Sequence, residues 1–102
     1  MNDFDSDCIV DKINIDVPNL DKNKKVIFCK DGVDITCHYD EKYSIIELQG
    51  NKSGFIVLAN ICLQIANSNC ANAHTVLDKH NCFSDPSDSL VIKIKRQNII
   101  KP

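Results

Sequence analysis

Four residues able to bind a transition metal, Cys70, His74, His80 and Cys82, fall within thirteen positions. Zinc accepts mixed nitrogen and sulfur sets of this kind. The spacing argues against such a site. His80-x-Cys82 is tighter than finger spacings, Cys70-x-x-x-His74 spans an expected helix end, and no C-x-x-C pair occurs among the cysteines at 8, 29, 37, 62, 70 and 82. These four are therefore read as scattered structural residues, and no metal or cofactor is expected.

Nucleophilic catalysis requires a thiolate beside a histidine and an orienting carboxylate. His74, Asp78 and one cysteine supply the types, but Cys62 falls on an expected apolar helix face, where a packed thiol is inert. No catalytic set is expected, so the chain is not read as an enzyme. Gly50-Asn-Lys-Ser-Gly54 resembles a phosphate loop only in composition, because a Walker sequence places Gly-Lys-Ser/Thr after four intervening residues. A strand-to-helix junction in which glycine relieves crowding is the simpler reading.

The elements that would position these residues show in the hydrophobic pattern. Ile9, Ile13, Ile15 and Val17 alternate as in a strand, Pro18-Asn19 ends it, and Asp21 to Lys24 reads as a polar loop. Asp31-Gly32 between β-rich runs predicts a type I′ hairpin placing Phe28 opposite Ile35 and Val26 opposite Cys37. A second reversal with Glu41 and Lys42 at its tip would set Cys37 against Ile46 and Ile35 against Leu48, completing a three-stranded meander.

After Gly50 the period changes: Phe55, Leu58, Ala59, Cys62, Ile65 and Ala66 recur at helical spacing behind Ser53 as N-cap, predicting a helix over 53–67. Thr75 to Asp78 reads as a short strand, Lys79 to Asp88 as a loop, and Leu90 to Arg96 as a final strand. In the first of these, His74 and Asp78 should share one face and Thr75 and Leu77 the other. The expected fold is α+β, an antiparallel sheet of a meander plus further strands packed on one main helix.

At 102 residues the chain is read as a single domain, its acidic segment 1–7 expected to be mobile. No apolar run approaches the roughly 20 residues that span a bilayer, and the acidic start lacks the basic opening of a secretory signal. A cytoplasmic location is expected, with free thiols that serve as small hydrophobes. Residues 1–50 hold eleven acids and six bases, residues 51–102 three acids and six bases. The acidic front half suits a basic partner or ordinary solvated loops, and nothing resembles the basic, aromatic-laced surface of a nucleic-acid binder.

Gly50-Asn51-x-x-Gly54-Phe55, the helix from Leu58-Ala59 to Ile65-Ala66, His74-Thr-Val-Leu77-Asp78 and Ser89-Leu90-Val91-Ile92 together resemble the bacterial family called immunity protein thirty-two. The likeness covers about residues 45–95, with Phe55 in place of the family's leucine and Val76 where a second histidine is common. It implies a small cytosolic protein of a polymorphic toxin system that neutralises a cognate toxin by stoichiometric binding. Asn51, His74 and Asp78 become partner-binding or structural motif residues on that reading, and residues 1–44 fall to specificity. Asp34 and Glu47 are the acids expected on ordered strands. The alternative is an α+β domain, homodimeric or metal-binding, unrelated to toxins.

Overall fold

The computed structural model describes residues 12–29 and 31–97. Its order is α1 (Leu20–Asn23), β1 (Ile35–Asp40), β2 (Ile45–Gly50), α2 (Lys52–Ala66), β3 (His74–Leu77) and β4 (Ile92–Lys95). The fold is α+β, with two antiparallel pairs, β1–β2 and β3–β4, and one long helix. The core joins Ile35 and Cys37 of β1, Ile61 and Ile65 of α2 and Leu77 of β3 to Val26, Ala73 and Phe83 from connecting segments.

The meander does not form. Residues 25–29 hold no strand, and β1 pairs only with β2 among the described residues. Phe28 is therefore not the ladder partner of Ile35. Gly32 has the left-handed φ of 65°, one of the two that a type I′ turn requires. The edge of β1 where residues 26–30 would pair is taken by residues 84–88. Ser84 donates its N–H to the Ile35 carbonyl at 2.7 Å, and Asp88 donates to that of Cys37 at 2.9 Å. In return the N–H groups of Ile35, Cys37 and Tyr39 donate to Ser84 Oγ, Ser87 Oγ and Asp88 Oδ2. Side-chain oxygens thus replace a neighbouring strand, and the Asp85–Pro86 bond within this segment is cis.

The second reversal forms with a longer loop than expected. Cys37 pairs with Leu48, Tyr39 with Ile46 and Ile35 with Gly50, so four residues, Glu41 to Ser44, make the connection. Asp40 Oδ1 accepts from the amides of Lys42 and Tyr43, and Ser44 takes a left-handed φ of 54°. The register moves by two, which preserves which side chains share a face.

The main helix runs 52–66, and its N-cap is Asn51 rather than Ser53, with Asn51 Oδ1 accepting from Gly54 N–H at 2.7 Å. The buried stripe is Gly54, Ile61, Gln64 and Ile65, with Val57 and Leu58 partly buried. Phe55, Ala59, Cys62 and Ala66, expected inside, are exposed. A helix apolar on nearly every side leaves its phase ambiguous. Here the polar Gln64, fully buried, marks the inward face.

Residues 12–19 hold no strand, and residues 1–11, which include the segment 1–7 expected to be mobile and the start of the strand expected from Ile9, lie outside the described residues. The expected loop at 21–24 is instead a single turn of helix, capped by Asn19 at its start and by the left-handed Lys24 at its end. The strand expected at 75–78 is His74–Leu77, paired with Ile92–Lys95.

Candidate protein-binding surface

The β1–β2 hairpin carries its apolar face beyond the core. On that face Ile35 and Cys37 are buried, Leu48 is half-buried, and the next cross-strand pair, Tyr39 and Ile46, stands 44% and 53% exposed. Strand alternation puts these side chains in one row, so the exposed pair continues the core row into solvent. Ile45 and Tyr43 are exposed as well, and Lys42 Nζ lies 5.2 Å from the centre of the Tyr43 ring, a cation–π distance.

The other face of the hairpin is polar apart from Ile45. His38 pairs with Glu47 and Asp40 with Ile45 across the ladder, and with Glu41, Lys42 and Tyr39 these residues line a shallow concavity. Three carboxylates, Asp40, Glu41 and Glu47, stand against one ammonium, Lys42. His38 Nδ1 lies 3.9 Å from Asp88 Oδ2. The Cys37 thiol, at the root of the hairpin, is pushed up by burial and then by the nearby Asp88 carboxylate. An aromatic and aliphatic patch with an acidic rim can hold another protein by apolar anchoring and charge complementarity.

The residues singled out by sequence separate into different places. Asn51 is fully engaged: Oδ1 also accepts from Asp34 N–H at 3.1 Å, while Nδ2 donates to the Gly32 carbonyl at 3.0 Å. Its own amide donates to the Asp34 carbonyl at 2.9 Å. A Cβ on Gly50 would stand 2.5 Å from that carbonyl oxygen, and one on Gly54 2.2 Å. The Gly50-Asn51-x-x-Gly54 sequence is therefore the clamp that seats residue 34 on the start of α2. Asp34 is exposed at this junction, one residue before β1, while Glu47 is exposed on β2.

Asp78 organises the turn after β3. Its Oδ1 accepts from the amides of His80 and Asn81, and its carbonyl from those of Cys82 and Phe83. His74 Nδ1 donates to the Asn72 carbonyl at 2.8 Å. His74 and Val76 are exposed while Leu77 is only 1% exposed, the alternation expected of the strand. Cys70 and His74 border one hollow with Asp21 and Lys24, whereas Cys82 borders another with Cys29 and Lys79. Among the described residues no three His, Cys, Asp or Glu side chains gather as a metal would need. Five described cysteines, Cys29, Cys37, Cys62, Cys70 and Cys82, are unbridged.

Sequence reasoning passed over Tyr39, Tyr43, Ile45 and Ile46. The signal was present: apolar residues at both 45 and 46 are more than a strand with one buried face needs.

No protein-family model, curated protein or solved structure matches the chain. Among the described residues no helix is long and apolar enough to cross a membrane.

Proposed function

We propose that this chain is a cytoplasmic immunity-type protein that neutralises a cognate toxin by one-to-one binding, with the β1–β2 hairpin as its contact surface. The observation that carries the reading is the Tyr39–Ile46 pair, an apolar row leaving the core and ending in solvent beside Asp40, Glu41 and Glu47. Interfaces concentrate energy in aromatic anchors surrounded by polar rims. The resemblance of residues 45–95 to immunity protein thirty-two supports it further. Gly50, Asn51, Gly54 and Asp78, which help carry that resemblance, build junctions and turns, leaving the hairpin tip free to set specificity. Toxins that attack nucleic acid carry basic surfaces to hold phosphate, and an acidic rim speeds association with such a partner.

Co-expression with the proposed cognate toxin tests the proposal. Cells making both proteins should grow, and cells making the toxin alone should not. Equal death in both cultures would remove the immunity reading and leave the homodimeric or metal-binding alternative.

A further inference from the structure

The β1–β2 ladder has one edge met by residues 84–88 and one that no described strand pairs. In an antiparallel pair, alternate residues direct both backbone groups to the same side. Ile35, Cys37 and Tyr39 direct theirs to residues 84–88, so Thr36, His38 and Asp40 face Gln49, Glu47 and Ile45 across the ladder. Ile46 and Leu48 therefore point their N–H and C=O groups away from β1. Among the described residues no strand pairs there. Exposed edges of this kind take up further strands.

Resting on the reading of the hairpin as the toxin-binding surface, we infer that the outer edge of β2 receives an extended basic segment of the partner as an added strand. The chemistry selects that occupant. One face of an added strand would lie beside Ile46 and Leu48, and the other beside Glu47 and Ile45, with Asp40 across the ladder from Ile45. A segment alternating apolar and lysine or arginine residues satisfies both faces at once, with the edge supplying main-chain hydrogen bonds. A second copy of this chain fits less well, because it would set two acidic hairpins against each other.

Amide exchange on the full-length ¹⁵N-labelled protein tests this directly, with an alternating lysine–valine nonapeptide as probe and its glutamate–valine counterpart as control. Exchange at Ile46 and Leu48 should slow by roughly tenfold or more with the lysine peptide, as newly made hydrogen bonds require. The control peptide should leave both amides unchanged. Ile46→Pro removes an outward N–H and keeps the ladder to β1, as an edge proline can, so it should abolish the protection. Should that variant fail to fold, the wild-type exchange decides alone. Unprotected edge amides with the lysine peptide, equal protection by both peptides, or protection rising with protein concentration without peptide would each overturn the inference. Failed toxin neutralisation with protected edge amides would count against the immunity reading only. Neutralisation with edge amides left open would count against strand addition only.

Discussion

The side-chain amide of Gln64 closes on both backbone groups of Ile27, accepting its N–H at 2.8 Å through Oε1 and donating to its carbonyl at 2.9 Å through Nε2. A strand partner would have made the same two bonds. Nε2 also donates to Asn60 Oδ1 at 2.8 Å, so a fully buried amide is satisfied on every side offered to it. Replacing Gln64 by leucine keeps the volume but strands both groups of Ile27. The expected loss is about 2–6 kcal/mol, from two part-buried groups at ~1–3 kcal/mol each, measured by urea unfolding. A loss under about 0.5 kcal/mol would mean that water replaces the side chain freely.

Gly54 and Gly32 should respond to alanine in different ways. In an open helix, glycine to alanine stabilises by roughly 0.5–1 kcal/mol. At Gly54 the new Cβ meets backbone, the Asp34 carbonyl oxygen at 2.2 Å, so Gly54→Ala should destabilise by about 2 kcal/mol or more, as overpacking against rigid atoms does. Gly32 has open space but a φ of 65°, and its alanine variant should cost only about 1–2 kcal/mol. Thermal melts of both variants give the comparison. A stabilised Gly54→Ala protein would contradict the close approach.

The sequence made the α+β class, the main helix and the last two strands legible, because periodicity changes at Gly50 and the segments are long enough to register it. It misplaced the strand order for a physical reason. Asp31-Gly32 has the composition of a hairpin turn, but turn chemistry cannot reveal that Ser84, Ser87 and Asp88 occupy the edge a hairpin would need. The phase of α2 was likewise hidden, since Phe55 and Cys62 are as apolar as Ile61 and only the buried Gln64 distinguishes the faces. Asn51 and Asp78 were recognised as special by sequence, though their hydrogen bonds make them builders of the fold. The Tyr39–Ile46 patch escaped because its exposure depends on where the core ends.

Asp21 links α1 to the end of α2, accepting from Ser68 Oγ at 2.6 Å and from the Asn69 amide at 2.7 Å. The Asn69 amide, then the Ser68 hydroxyl and the charge of Arg96, hold its carboxyl below the ordinary value of 3.8 despite some desolvation. A carboxylate with a depressed folded pKa stabilises fully above its unfolded value, and that contribution is lost as pH falls through the folded one. The stability difference between wild type and Asp21→Asn should be constant near neutrality and shrink only below about pH 4, the region of the unfolded aspartate titration. Denaturation across pH checks this. A difference that grows as the solution is acidified would reverse the sign.

The thiols should separate by accessibility. Cys29, Cys62 and Cys70 are exposed, while Cys37 is buried and its ionisation is pushed up by desolvation and then by Asp88. Thiolate is the reactive form, so iodoacetamide under native conditions should label the exposed three first and Cys37 only on unfolding. Mass spectrometry after timed quenching reads the order. Early labelling of Cys37 would show that the root of the hairpin opens in the native state.

Titration calorimetry of the purified toxin against the full-length protein reads whether the hairpin tip holds the proposed partner. Binding should be one-to-one, with Tyr39→Ala weakening it about 30-fold, the ~2 kcal/mol of an interface anchor, while thermal stability stays near wild type because Tyr39 lies outside the core. Glu47→Gln should slow association chiefly at low salt. An unchanged affinity with Tyr39 and Ile46 both replaced by alanine would mean that the hairpin tip does not hold the partner.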